Sequence, residues 1–281
     1  MPLRELTDYF NRENLKRYGA LRGDVAPLVS LGEAGVAGRF ADITLGSAFQ
    51  PVFHADSLHP AGFEALLRPA RQQQPLSPAS VFLLPADADE VVYLDRLCRT
   101  LHALNFLLQS RDDDGWLALN VHPRHLTGVL SEHGLVFESI LQQCGLSPRR
   151  VVLEIGVAAL LQVPHLPMAI QNYRRRGYRI AVDNVPVDQA PLPLLLKLQP
   201  DFIKLDYRSA PLPPHPALQH LLRELGDIGT GVVAVGMPCS ASRALADLGV
   251  QYLQGDVLAP AAPQLIRTTD AQAENNHAVG R

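Results

Sequence analysis

Residues 151–185 read VVLEIGVAALLQVPHLPMAIQNYRRRGYRIAVDNV. A β-branched run at 151–155 is followed by a helical stretch at 158–176 and by a second apolar run at 179–182. Strand, helix and strand in that order make a parallel crossover unit, whose strands are covered on both faces and read as near-continuously apolar. The most apolar part of the chain lies here, but Glu154, Pro164 and Pro167 interrupt it, which argues against a membrane span.

Outward from this unit the rhythm repeats. Apolar runs stand at 49–53, 62–67 and 116–121 upstream, and at 201–205, 231–235 and 250–253 downstream. Helical stretches at 90–108, 123–144, 190–198, 216–228 and 240–248 separate most of them. Eight candidate strands alternating with helices favour an α/β fold closed into a TIM-like (β/α)8 barrel over an open sheet. The link 55–61 is too short for a parallel crossover but long enough for a hairpin, so one antiparallel strand is expected. Ahead of the barrel, Leu3, Leu6, Phe10, Leu15, Tyr18 and Leu21 recur at roughly helical spacing. This amphipathic helix, followed by a looser stretch to Gly38, either packs on its own body or docks a partner. The expected division is an N-terminal helical extension at 1–40, a barrel at 41–267 and a disordered tail at 268–281.

The 281 residues carry 25 Lys and Arg against 28 Asp and Glu, a formal charge of −3, with 47% hydrophobic and 19% charged residues. That balance suits a globular chain and excludes a largely disordered one. Near-neutral charge leaves no electrostatic footprint for direct nucleic-acid binding. Cys98, Cys144 and Cys239 are far apart and odd in number, so a reducing compartment, the cytoplasm, is expected. Nothing at the N-terminus reads as a basic-then-apolar leader. The 23 prolines need placing.

Functional groups of βα barrels sit at the C-terminal ends of the strands. Glu64 and Arg68 lie on the second strand, Asn120 ends the third, Glu154 lies at the end of the fourth, and Asp183 and Asn184 end the fifth. Lys204 and Asp206 end the sixth and Gln254 follows the eighth, while the seventh ends in Val235, Gly236, Met237 and Pro238 with nothing ionisable. Glu64, Asn120, Glu154 and Asp183 would converge on one mouth, and such hard oxygen donors suit Mg²⁺, Ca²⁺ or Mn²⁺ rather than zinc. Lys204 would either hold a phosphate or form a buried salt bridge with Glu154 or Asp183. His122 and His125 read as surface or helix-capping residues, Cys144 as packing, and Trp116 as a plug at the barrel's bottom rim.

Six ordered segments resemble the EAL domain. Gln50-Pro51-Val52 and Gly62-Phe63-Glu64-Ala65-Leu66-Leu67-Arg68 are similar to its opening, with the Glu-Ala-Leu tripeptide. Leu119-Asn120-Val121-His122-Pro123 resembles its Asn-x-Ser-Pro segment, and Leu153-Glu154-Ile155 the start of Leu-Glu-Ile-Thr-Glu. Asp183 through Asp206 resembles its Asp-Asp-Phe-Gly…Asp-x-x-Lys-x-Asp region without a gap, and Gln254-Gly255 the final Gln-Gly. The resemblance runs from about residue 49 to 263. It implies a barrel that binds cyclic di-GMP, a bacterial second messenger, and in active members hydrolyses one phosphodiester bond with two Mg²⁺ or Mn²⁺ ions. By the same resemblance, Gln50, Glu64, Leu66, Arg68, Asn120, Asp206 and Gln254 are expected nucleotide contacts. Glu64, Asn120, Glu154 and Asp183 are expected remnants of the metal site, and Glu64 and Lys204 remnants of the catalytic set.

The resemblance also breaks. The second acid of the Asp pair is Asn184, Thr-Glu after Glu154 is Gly156-Val157, and Ala-Glu-Gly-Val-Glu is Ala234-Val235-Gly236-Met237-Pro238. The glycine-bearing loop after the fifth strand is Val185-Pro186-Val187-Asp188-Gln189. Each ~1.4 kcal/mol of lost transition-state stabilisation is tenfold in rate, so hydrolysis is expected to be absent or very slow, with no cofactor required and Mg²⁺ or Mn²⁺ relevant only if activity remains. The expected role is a cyclic di-GMP receptor that regulates a partner protein. The alternative is a nucleotide-independent interaction module on the same scaffold. A homodimer is also open on this reading, with neither membrane nor nucleic acid as a direct partner. Part of the proline load falls at these breaks: Pro186, Pro191 and Pro193 in or after the rewritten loop, Pro238 in place of an acid, and Pro211, Pro213, Pro214 and Pro216 in the connection after the sixth strand.

Overall fold

A computed structural model describes residues 3–18, 26–110, 115–129, 131–208 and 216–266. Its strands are β1 (Leu28–Ser30), β2 (Val36–Phe40), β3 (Ile43–His54), β4 (Pro60–Arg71), β5 (Gln74–Pro75), β6 (Trp116–Asn120), β7 (Val151–Gly156), β8 (Arg179–Pro186), β9 (Phe202–Asp206), β10 (Gly231–Val235) and β11 (Tyr252–Gln254). They run in the order β1-β2-β3-β11-β10-β9-β8-β7-β6-β4-β5, and the β3–β4 pairing closes eight of them into a barrel. Strand β3 is antiparallel to both neighbours, β4 and β11, and the other barrel pairs are parallel. This is the expected TIM-like barrel with one antiparallel strand.

Helix α1 (Leu3–Tyr18) precedes the strands, and between them lie α2 (Pro78–Phe82), α3 (Ala88–Leu107), α4 (Pro123–Gly128), α5 (Leu135–Cys144), α6 (Ala159–Gln162), α7 (Leu166–Arg175), α8 (Leu192–Leu198), α9 (Pro216–Asp227) and α10 (Ser242–Asp247). Two stretches that read as single helices are each broken in two. Val163 turns extended (φ −112°, ψ 98°) ahead of Pro164, whose ring disfavours a helical residue before it. Between α4 and α5, Gly134 adopts φ 83°, a left-handed conformation that restarts the chain direction. Pro191 caps α8 and Pro193 lies in its first turn, where a missing N–H leaves no helical bond unmade. No helix among the described residues is long and apolar enough to cross a membrane.

The β3–β4 hairpin is longer than the barrel needs. It pairs from Ile43↔Arg71 to Phe53↔Pro60, whereas β4 pairs with β6 only over Gly62–Ala65. Beyond the barrel, β2 adds to β3, β1 to β2 and β5 to β4. Residues 26–40, which carry no strand in the sequence reading, therefore belong to this sheet. Helix α1 lies against it: Leu6 and Phe10 are buried with Leu28, Val36, Phe40 and Leu45. The Asn11 amide donates to the Leu28 carbonyl at 2.8 Å and its oxygen accepts the Leu28 N–H at 3.0 Å. Burying such side chains stabilises by about 1.5–3 kcal/mol each, so α1 is part of its own body. The expected tail at 268–281, and Pro211, Pro213 and Pro214, lie outside the described residues.

Inside the barrel, side chains alternate inward and outward, and the inward ones stack in layers. At the bottom, Trp116 stacks on Phe202 with ring centroids 5.0 Å apart, meets Tyr252 edge-on, and lies under the Arg179 guanidinium. Gly62 makes room for this plug: a β-carbon there would lie 2.6 Å from the Trp116 ring. The next layer is Val52, Ala118, Val152, Ala181 and Val233. Above it, on the side where the parallel strands end, the inward positions become polar.

A polar network at the barrel mouth

That polar layer is built by period-two geometry: Glu64 follows Gly62 inward on β4, Asn120 follows Ala118 on β6, and Glu154 follows Val152 on β7. Lys204 is the inward residue of β9, two positions above Phe202. Lys204 Nζ donates to Glu64 Oε2 at 2.6 Å and to both oxygens of Glu154 at 3.0 and 3.1 Å, and lies 3.8 Å from Asp183 Oδ1. Asn120 donates to Glu64 Oε1 at 2.9 Å, and Gln254 to Glu64 Oε2 at 2.7 Å. Gln254 also donates to Gln50 Oε1 at 3.1 Å, and Gln50 in turn to Asp256 at 2.8 Å. Of the two readings of Lys204, the buried salt bridge to Glu154 forms, and Glu64 joins it.

The electrostatics follow from one cation facing three acids. Burial pushes the Glu64 carboxyl up, but Lys204, Asn120 and Gln254 outweigh it and hold the pKa at about 2. Burial and the neighbouring Glu64 charge push Glu154 well above the usual carboxylate range despite Lys204. Asp183 is raised as well, by burial first. Burial would lower Lys204, yet Glu154, Glu64 and Asp183 raise it, so the ammonium stays charged. Within the cluster the Lys204 charge favours ionisation of Glu64 most, and Glu154 is the harder of the two to ionise.

The structure draws seven of the sequence-derived residues, Gln50, Glu64, Asn120, Glu154, Asp183, Lys204 and Gln254, into this network. Leu66 and Arg68 stand further along β4, with Arg68 exposed and donating to its neighbour's carbonyl, Leu67, at 3.2 Å. Asp206 binds Arg208. Asn184 has φ 56° and donates to Asp183 Oδ2 at 2.7 Å, so it turns back onto the acid beside it. Val185 and Pro186 extend β8 along β9 to Leu205 and Asp206, and Val185 is buried with Leu195, Leu205 and Met237.

A second buried cluster was not legible as a unit. Asp95 accepts the His122 N–H at 2.9 Å, the Arg99 guanidinium, and His125 Nδ1 at 3.1 Å. Burial drives the His125 pKa down to about 3 against the pull of Asp95, so the ring is neutral with Nδ1–H donating. His125 is therefore a buried partner of Asp95 and not a surface residue, whereas His122 caps α4 by accepting the Arg124 N–H. Asp95 ties α3 to the chain just after Asn120, and only the i, i+4 spacing of Asp95 and Arg99 signals it.

Residues 39–261 match the EAL domain. The chain belongs to the EAL domain family. It is 29% identical over 183 residues to the uncharacterized EAL-domain containing protein YkuI of Bacillus subtilis (strain 168), across 62% of this chain and 43% of YkuI. The chain thus spans less than half the length of that relative. Its EAL fold also superimposes on BlrP1 of Klebsiella pneumoniae in a calcium and cyclic di-GMP complex, with TM-score 0.67 and 21% identity over 79% of this chain and 57% of that one. A standalone versatile EAL protein from Vibrio cholerae O395, in its cyclic di-GMP-bound form, gives TM-score 0.65 and 20% identity over 83% of this chain and 99% of that one. At these identities the structural likeness carries the fold alone.

EAL structures have been solved with calcium or manganese, and the mouth can be tested for such ions. Two near-octahedral cations need several free anionic oxygens. Here both oxygens of Glu64 and of Glu154 already accept hydrogen bonds, and Asn184 occupies one oxygen of Asp183. Positions 157, 235 and 238 are Val, Val and Pro. Among the described residues no group of three or more His, Cys, Asp or Glu is arranged to hold a metal ion. The donor set, as arranged, does not fit a metal pair.

Proposed function

We propose that this EAL domain is a cyclic di-GMP receptor without phosphodiesterase activity that regulates a partner protein. The observation that carries the reading is the Lys204 cluster: one ammonium holds Glu64 and Glu154 where a pair of divalent cations would need their oxygens. Losing hydrolysis does not require losing the ligand. Gln50, Glu64, Leu66, Arg68, Asn120, Asp206 and Gln254 remain as nucleotide contacts, and Arg68 offers a guanidinium fork to a phosphate. EAL structures from other organisms hold cyclic di-GMP, which supports it as the ligand class here.

A nucleotide-independent interaction module is the second reading. It is favoured by large apolar side chains left exposed in segments that follow strand ends: Leu161 in α6 at 79% exposure, Leu194 in α8 and Val257 after β11. Calorimetric titration with cyclic di-GMP, with and without Mg²⁺, separates the two. Saturable binding without conversion to the linear dinucleotide is expected. Turnover of about 1 per second or faster would overturn the loss of activity. No binding under either condition would move the assignment to the interaction module.

A further inference from the structure

Arg208 follows β9 and lies outside every motif quoted above. Its side chain forks onto Asp206, Nε donating to Oδ1 at 2.8 Å and Nη2 to Oδ2 at 2.6 Å, while its backbone N–H also donates to Oδ1 at 3.0 Å. The aliphatic stem crosses Gly236 at the end of β10, where a β-carbon would lie 2.6 Å from Arg208 Cγ. Gly236 has φ 73°, so glycine is required there both for its backbone and for the passage of this side chain. The Arg208 charge also works weakly against the burial that raises Asp183, in β8. The side chain therefore bridges the ends of two neighbouring strands, β9 and β10.

The surroundings give that position its meaning. The β10 end carries no acid, Asn184 is neutral, and the Arg208 side chain is 63% exposed at the open face of the barrel. A guanidinium has five N–H donors, and Asp206 takes two of them. Asp206 also fixes the plane of the fork before any ligand arrives, which lowers the ordering cost of binding. We infer that Arg208 is a phosphate-binding residue of this mouth, which neutralises a phosphodiester of the bound cyclic dinucleotide directly, so that binding needs no divalent cation. The inference rests on the receptor reading above and adds to it a residue and a metal independence.

The test is calorimetric titration of the full chain with cyclic di-GMP in EDTA, at low and at moderate salt, for the parent, Arg208→Gln and Arg208→Lys. The parent is expected to bind in EDTA. Arg208→Gln should weaken binding roughly tenfold or more, Arg208→Lys less, because a point charge replaces a fork. The salt dependence of Kd should be shallower in Arg208→Gln, a change that mere support of Asp206 would not produce. Unchanged thermal unfolding of Arg208→Gln should accompany this, since an exposed pair contributes only about 0–1 kcal/mol. If Arg208→Gln binds as tightly as the parent with the same salt dependence, the role of Arg208 is overturned and the receptor reading stands. If the parent binds only once Mg²⁺ is added, metal independence is overturned. If the parent binds under neither condition, the receptor reading fails and this inference falls with it.

Discussion

One ammonium faces Glu64, Glu154 and Asp183 in the barrel mouth, and its removal would leave buried carboxylates without a counter-charge. Breaking a buried pair from one side costs about 3–5 kcal/mol. Lys204→Met is therefore expected to destabilise the chain by that amount at pH 7 in denaturant unfolding. The deficit should narrow at pH 5, because the carboxyls can then take up protons in place of the cation. A variant as stable as the parent at both values would show that Lys204 does not hold the cluster. Single residues at strand ends were legible in the sequence because a strand sends alternate side chains to one face, which singled out Glu64, Glu154 and Lys204. Asp256 and Arg208 were not, since they act from turns and loops where no period applies, and Asp95 was signalled only by its i, i+4 spacing to Arg99 on a helix.

At the scale of elements, the barrel's bottom layer depends on small residues opposite large ones. Trp116 occupies the volume that a side chain at position 62 would need. Gly62→Ala should cost about 1–3 kcal/mol through overpacking, read as a lower denaturant midpoint with a shifted Trp116 emission. An unchanged midpoint would mean that the ring moves aside freely. Strand and helix identities followed from apolar rhythm, but helix boundaries inside 123–144 and 158–176 did not. Apolar spacing persists across Gly134 and Pro164, whereas the backbone direction changes there because of one left-handed φ and one proline ring. Strands β1 and β2 carry too little alternation to announce themselves, and they exist because β3 offers an edge to β2 and β2 in turn to β1.

For the whole molecule, α1, β1 and β2 cover Ile43, Leu45 and Leu101, all buried. Deletion of residues 1–40 should therefore lower the unfolding temperature and expose apolar surface to a hydrophobic dye; an unchanged melting temperature would mark the segment as an independent appendage. Acid stability is a second molecular property. Burial, aided by Arg68, lowers His102 from 6.5 to about 4, and the ring Nδ1 bonds Ser47 at 2.7 Å. The folded state then binds fewer protons than the unfolded state between these values, so this contribution is lost as pH falls through that window. Between pH 7 and pH 5 the loss is about 2 kcal/mol for one such group. Burial lowers His125 and so works in the same direction, while the raised Glu154 and Asp183 oppose it. In urea unfolding, His102→Asn should show a stability drop from pH 7 to pH 5 smaller than the parent's by about that amount; an equal drop would reject the assignment.

The barrel, its one antiparallel strand and the polar residues at the strand ends are written in the order of residues along the chain. Those features are periodic and local, written in alternation, helix length and the short link between the first two strands. How those polar residues pair depends on the closed barrel. Lys204 reaches Glu64 on β4 and Glu154 on β7 from β9, contacts across a barrel lumen that have no counterpart in chain order. The same holds for the fate of the N-terminal helix, which sequence alone left between partner and core. It became core because Leu28, Val36 and Phe40, distant from it in pattern but adjacent in space, offered a surface to bury Leu6 and Phe10.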